Sequence, residues 1–242
     1  MESYFNPDEL KHLASYEGDH YWHLARRELI DLVLRGLSSG PALDVGCGPG
    51  TLTTFLNERG HRVDYADVHP EALRLARVSA PNDREFLELD IVTAVPPRYA
   101  TILLLDVIEH LSDDVAALRN ARAACDRVLV TVPAFPVLWS AWDEAADHKR
   151  RYTRATLRRS LDAAGFRVDR IGYFFAPLFV ASGAVQLVRK FRPPSTDGLE
   201  GLAETKTSPM VTRAACAVLG LERPFARAGL VPFGTSMFAV AS

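Results

Sequence analysis

The sequence predicts an α/β protein: a mostly parallel, doubly wound sheet with helices on both faces. Three observations carry this. A short apolar strand ends in a glycine turn, Leu43-Asp44-Val45-Gly46-Cys47-Gly48-Pro49-Gly50, and the chain re-enters as a helix at Thr51. Strand-like runs then alternate with helical stretches as far as residue 132. One run, Thr101-Ile102-Leu103-Leu104-Leu105, is apolar throughout, as expected of a parallel strand covered on both faces.

Residues 1–40 read as a helical cap. Asn6-Pro7-Asp8-Glu9 has the signature of a helix start, with Asn6 as cap and Pro7 in the first turn. A second helix follows Tyr21-Trp22-His23, with helical apolar spacing through Leu34 and Gly36 closing it.

The glycine turn is the centre of the chain. Glycine permits positive φ and lets backbone pass close to a ligand. The helix start then directs unpaired N–H groups at that ligand. The dinucleotide fingerprint G-x-G-x-x-G is not met, because Thr51 stands where its third glycine belongs. Asp44, two residues before Gly46, would repel a pyrophosphate and suits a cation. A phosphate-free, positively charged nucleoside fits, which describes S-adenosylmethionine. An NAD-dependent oxidoreductase and a non-catalytic cofactor-binding partner protein are the alternatives.

This octet resembles the first motif of the class I S-adenosylmethionine-dependent methyltransferases. Asp67-Val68-His69-Pro70-Glu71-Ala72-Leu73 is similar to their second motif, and Asp106-Val107-Ile108-Glu109-His110-Leu111 to the fourth motif of their small-molecule branch, which includes quinone-pathway and natural-product enzymes. The resemblance implies a Rossmann-like seven-stranded sheet closed by an antiparallel C-terminal strand. It implies a single domain over 1–242: a cap over 1–40, a cofactor-binding core over 41–132, a substrate lid over 133–152, and C-terminal helices and strands over 153–242 with a helical insertion at 176–232.

Candidate site residues follow in chain order. Trp22 and Arg26 belong near the cofactor or acceptor by that resemblance. Asp44, Gly46, Cys47, Gly48 and Gly50 form the turn. Asp67 ends the second strand, Arg62–Asp67, about 20 residues beyond the glycines, where an acid accepts ribose hydroxyls; Val68 is beside it. Asp90 and Ile91 end the third strand, Glu85–Ile91, and the resemblance sets them against adenine. Asp106, Val107 and His110 follow the fourth strand, at a strand C-terminus where open α/β sheets bind ligands. Asp113-Asp114 caps the helix through Ala124.

The fifth strand, Arg127–Val132, is cut by Pro133. Residues 134–152 then form a long aromatic loop, and loops of this length are lids or binding loops. It offers Trp139, Trp142, Arg151 and Tyr152 as acceptor-binding residues and His148 as general base, with His110 as second candidate. Thr153 starts a helix over Arg154–Ala164, closed by Gly165. Phe166–Phe175 reads as a strand, Ala214–Arg227 as a last helix and Gly234–Ala241 as the closing strand.

Composition bounds the rest. The 242 residues include Cys47, Cys125 and Cys216, too far apart for a zinc set, and they read as reduced thiols of a cytoplasmic protein. No metal ligands and no signal peptide are expected. Residues 1–148 carry 13 Lys and Arg against 24 Asp and Glu, a charge of −11, and residues 149–242 carry 15 against 6, or +9, for the net −2. The basic residues are scattered, so nucleic acid is not an expected partner. The run Tyr173–Val188 is interrupted by Pro177 and too short to span a bilayer. With Arg189-Lys190-Phe191-Arg192 behind it, at most a peripheral membrane contact is expected. The expected activity is methyl transfer to O or N, with C as a third option, of a small, partly apolar molecule, by a monomer or homodimer.

Overall fold

The computed structural model describes residues 7–37, 40–181 and 208–242. In chain order the elements are α1 Pro7–Tyr16, α2 Tyr21–Leu34, β1 Ala42–Val45, α3 Thr51–Glu58, β2 Val63–Asp67, α4 Pro70–Ala76, β3 Phe86–Glu88, β4 Tyr99–Leu105, α5 Asp114–Ala124 and β5 Cys125–Pro133. A 3₁₀ turn at Pro136–Leu138 and α6 at Ala141–Ala145 follow, then α7 Arg154–Ala163, β6 Val168–Phe174, α8 Pro209–Leu221, α9 Arg223–Arg227 and β7 Ser236–Ala241.

The seven strands form one sheet in the order β3-β2-β1-β4-β5-β7-β6. The pairs among β1 to β5 are parallel, and β7 lies antiparallel between β5 and β6. The expected sheet and its antiparallel C-terminal strand are therefore present. Leu43, Ile102, Leu103, Leu104, Val128, Leu129 and Val130 are completely buried, because helices cover both faces. The chain reverses direction across the sheet between β1 and β4. This switch point opens a crevice at the strands' carboxyl ends, where such sheets take ligands.

Local chemistry explains the boundaries. Asp113 caps α5 by accepting the Ala116 N–H at 2.8 Å. Thr153 caps α7 by accepting from Thr156 N–H. The expected single helix Ala214–Arg227 is instead two. Ser208 caps and Pro209 opens α8 five residues earlier, and Pro224 at the first turn of α9 ends the register. Glu222, at the break, accepts the N–H groups of Phe175 and Ala176, so its carboxylate ties this corner to the end of β6. The third strand is shorter than expected, because Asp90 turns the chain by accepting the Val92 N–H at 2.9 Å. The lid is not a plain loop: the 3₁₀ turn and α6 give it internal structure. The Asn6 cap, the run from 182 to 192 and the loop from 193 to 207 lie outside the described residues.

Among the described residues, no helix is long and apolar enough to cross a membrane.

Candidate active site

The glycine turn is shaped by three left-handed residues: Gly46 at φ 77°, Gly48 at 55° and Gly50 at 77°. Their roles differ. A Cβ on Gly46 would meet Val107 at 2.6 Å, and one on Gly50 would meet Ala76 at 2.6 Å, so these two let neighbouring elements close in. A Cβ on Gly48 would meet nothing within 4 Å. Its open side is where a ligand can lie against bare backbone.

Carboxylates ring this turn. Asp44, nearly fully buried, accepts a hydrogen bond from Thr53 Oγ1, and burial pushes its carboxyl up to about 6. Asp67 accepts the Gly48 N–H at 2.9 Å with Oδ2 and the His69 N–H at 2.8 Å with Oδ1. Burial raises its carboxyl, and these N–H donors hold it back. Each oxygen keeps a second lone pair, so two ligand hydroxyls can still be accepted. Val68 is half-buried beside it. Cys47 stays a thiol: burial, then Asp67 and Asp44, push it well above its ordinary range.

Glu17, in the turn between α1 and α2, is a further acid that the sequence did not single out. Burial pushes it up to about 7; Thr51 and Arg26 oppose that, and Asp44 adds to it. Its Oε1 lies 3.8 Å from His23 Nδ1. That imidazole is uncharged near neutrality, held at about 3 by burial and by Arg26.

Arg26 and Trp22 come from α2. Arg26 Nη2 pairs with Asp106 Oδ2 at 2.5 Å and donates to Thr131 Oγ1 at 3.4 Å, and its guanidinium stands 5.2 Å from the centre of the Trp22 ring. Its buried Nε has no hydrogen-bond partner among the described residues. Asp106 adopts φ 57° at the end of β4, steadied by the Thr131 hydroxyl at 3.1 Å. Asp90 has one oxygen bound to the Val92 N–H and is half-buried. Ile91 is buried in the core, its backbone held by Asn120 Nδ2 at 2.8 Å.

The second cluster lies in the segment after β5. His148 Nδ1 lies 2.9 Å from Asp143 Oδ1, and Asp143 is fully buried. Asp143 also accepts from Arg151 Nε at 2.7 Å and from the Ser140 N–H at 2.9 Å. Although burial opposes it, hydrogen bonds from His148 and Arg151 hold this carboxyl far below its ordinary value. An ionised carboxylate only accepts, so Nδ1 of His148 carries the proton and Nε2 is left basic. The His110 ring packs against His148, centroids 4.8 Å apart, and burial followed by His148 lowers its pKa to about 4. Glu109 is completely buried with both oxygens lacking a hydrogen-bond partner among the described residues, and burial then Asp106 raise it strongly. Glu109, His110 and His148 have ligand atoms within 4.8 Å of one another, a set that could hold a metal ion. Chain spacing, which gave no metal ligands, did not display this set.

Two expected acceptor residues are held by partners of their own. Tyr152 is a core residue: its hydroxyl lies 2.8 Å from Asp114 Oδ2, and burial, then Asp114, push its pKa far up. Arg151 is one-tenth exposed and committed to Asp143 and the Ala134 carbonyl. Trp139 and Trp142 are about two-fifths exposed, 38% and 39%, on the lid surface. Phe135, at φ 59°, lies inward instead, stacked on Tyr173 at 4.9 Å.

This strand order, with a glycine turn and acids at the carboxyl ends of β1, β2 and β4, defines a methyltransferase fold of the Rossmann-like class. Residues 21–171 match the family model described as a methyltransferase domain, and the chain belongs to that family. It is 30% identical over 166 residues to the ubiquinone biosynthesis O-methyltransferase of Aeromonas salmonicida (strain A449), covering 59% of this chain and 70% of that protein. Two further proteins of that name are matched over 48% and 43% of their lengths. Among solved structures, magnesium protoporphyrin IX methyltransferase from Synechocystis PCC 6803 with bound SAH superimposes with a TM-score of 0.50 at 20% identity, covering 62% of this chain and 77% of that one. A SAM dependent methyltransferase from Archaeoglobus fulgidus gives 0.51 at 17% identity, covering 89% and 93%. The chain is an S-adenosylmethionine-dependent methyltransferase. The open side of Gly48, the unpaired Arg26 Nε and the acid ring fit a ligand with a carboxylate, hydroxyls and positive charge.

Proposed function

We propose that the enzyme methylates a hydroxyl of a small, partly apolar acceptor, with His148 as general base. The carrying observation is the Asp143–His148 pair at 2.9 Å. S-adenosylmethionine supplies a methyl group already activated on a sulfonium, so the protein's tasks are alignment and proton removal. Alignment of this kind is worth about 7–11 kcal/mol. His148 Nε2 accepts the acceptor's O–H proton while the oxygen attacks the methyl carbon and the carbon–sulfur bond breaks. Asp143 fixes the imidazole tautomer and stabilises the imidazolium until the proton passes to water. S-adenosylhomocysteine and the methyl ether are released.

The cofactor rests on Asp44, Gly46, Cys47, Gly48 and Gly50, with Asp67 and Val68 at the ribose, Asp90 and Ile91 at adenine, and Arg26, Trp22, Asp106 and Val107 around its amino-acid end. Phe135, Trp139 and Trp142 supply the acceptor wall, with residues 133–152 as lid. O-methylation is favoured over N- or C-methylation by the relatives, which are O-methyltransferases by name. The chain is assigned to the cytoplasm, as monomer or homodimer, without a nucleic-acid partner and with at most peripheral membrane contact.

The test is incubation with S-adenosylmethionine and matched panels of phenol, alcohol and amine acceptors, read by mass spectrometry and S-adenosylhomocysteine release. Transfer to hydroxyl acceptors is expected. Methylation of the amines alone overturns the hydroxyl assignment, and tight NAD binding without S-adenosylhomocysteine formation overturns methyl transfer altogether.

A further inference from the structure

We infer that Glu17 is a cofactor-binding residue, which with Asp44 takes the ammonium of the cofactor's amino-acid end. The inference rests on the cofactor placement proposed above. Counting charges around the turn leads to it. Arg26 is the cation acting on both Glu17 and Asp44 among the described residues, and it is already matched by Asp106 through the contact at 2.5 Å. Asp44 receives a neutral hydroxyl from Thr53 and Glu17 faces the neutral ring of His23, so among the described residues neither acid has an ion pair with Lys or Arg. Asp44 raises the proton affinity of Glu17, and two acids this close at a ligand crevice create a demand for positive charge. Asp44 supplies one side from the tip of β1. Glu17 supplies the other from the α1–α2 turn, beside Thr51 at the start of α3.

Position favours the ammonium as the group taken. Thr51 opens the helix that follows the glycines, and Gly46 leaves its backbone exposed in the same turn. Arg26, with a spare buried Nε, is the partner for the carboxylate attached to the same carbon. Opposite charges on one α-carbon thus meet two side chains of opposite sign, Glu17 and Arg26. Glu17 belongs to the cap, not to the sheet.

A ligand-by-mutant cycle tests this. Affinities of S-adenosylhomocysteine, its desamino analogue and 5′-methylthioadenosine are measured by calorimetry for the parent protein, Glu17→Gln and Glu17→Asp. A charge-assisted hydrogen bond is worth roughly 10- to 100-fold in affinity. Loss of the amino group is expected to weaken binding to the parent by at least ~10-fold, to Glu17→Gln by only ~2-fold, and to Glu17→Asp by an intermediate factor. 5′-Methylthioadenosine, which lacks the amino-acid end, should bind all three alike. Equal loss on deamination in parent and Glu17→Gln overturns the role. So does equal weakening of 5′-methylthioadenosine by the substitution, which marks a scaffold residue. If the parent binds none of the three ligands, the cofactor placement itself fails instead.

Discussion

Arg26 and Asp106 form an ion pair at 2.5 Å that joins the N-terminal cap to the end of β4. Eighty positions separate them in the chain, yet both side chains are mostly buried, at 10% and 21% exposure. Asp106 sits at φ 57°, a conformation that costs a non-glycine residue free energy and persists when surroundings fix it. The Thr131 hydroxyl and the Arg26 guanidinium supply that fixing.

Removing one member of this pair leaves a poorly solvated charge behind. Fully buried pairs lose about 3–5 kcal/mol in this way, and the partial exposure of Asp106 puts Arg26→Ala nearer 2 kcal/mol. Thermal melting should show the loss, and calorimetry should show S-adenosylhomocysteine binding at least ~10-fold weaker. Arg26→Lys should rescue only part, since a compact ammonium on a different stem lacks the planar guanidinium that reaches Asp106 and Thr131 and stands over Trp22. Full rescue by lysine, or unchanged affinity in Arg26→Ala, would contradict the assignment.

The glycines allow a sharper separation of folding from binding. Gly50→Ala places a methyl group 2.6 Å from Ala76 at φ 77°, so it should lower stability by about 2–4 kcal/mol. Gly48→Ala meets no atom of the protein, so its cost should be limited to about 1–2 kcal/mol of backbone strain. Its methyl group instead enters the space assigned to the ligand. Cofactor affinity should fall more in Gly48→Ala than in Gly50→Ala, while melting temperature follows the reverse order. The opposite ranking would mean that the ligand lies elsewhere.

The sheet was largely legible because its signals are local. The glycine turn, the unbroken apolar run at 101–105 and the acids ending successive strands are each set within a few residues. Asp44 and Asp67 were legible for the same reason, being placed by register in neighbouring parallel strands. Glu17 and Asp143 were not. Each lies outside the strands, and only tertiary packing brings Glu17 to the turn or sets Asp143 against Arg151 and His148. Tyr152 shows the converse. Its basic, aromatic surroundings suggest a binding loop, but Asp114 captures its hydroxyl in the core. The split of the last helix at Glu222 was hidden because that acid's partners lie at residues 175 and 176.

Cofactor stabilisation should depend on pH with a definite sign. Glu17 and Asp44 have folded-state values raised from 4.5 to about 7 and from 3.8 to about 6. The stability these groups contribute is complete below about pH 4 and is lost as pH rises through about 6 and 7. His23 and His110 are depressed to about 3 and about 4, so they change apo stability in the opposite direction between about pH 4 and 6.5. The ligand-induced shift in melting temperature separates the two acids from this background. A cationic ligand binds the ionised acids, so the shift produced by S-adenosylmethionine should grow from pH 5.5 to pH 7.5. The growth should be much reduced in Glu17→Gln. A shift that is flat or falls across this range would show that no cation meets these carboxylates.

The chemical step should respond to the lid dyad differently from the cofactor subsite. His148→Ala removes the proposed base, and positioned bases contribute typically 10²- to 10⁴-fold. Its kcat should fall by about that factor while S-adenosylhomocysteine affinity stays within about twofold. Asp143→Asn keeps the shape but takes away the charge that fixes the Nδ1 proton, so kcat should fall about 10- to 100-fold. Because Asp143 also anchors Arg151 and the Ser140 N–H, some stability is lost as well, and a structural role alone would predict only that. A double variant distinguishes the two. If Asp143 acts through His148, Asp143→Asn should cost little further kcat once His148 is alanine. If the two losses in kcat add, or only melting temperature changes in Asp143→Asn, Asp143 is an anchor of this segment and not the residue that orients the base.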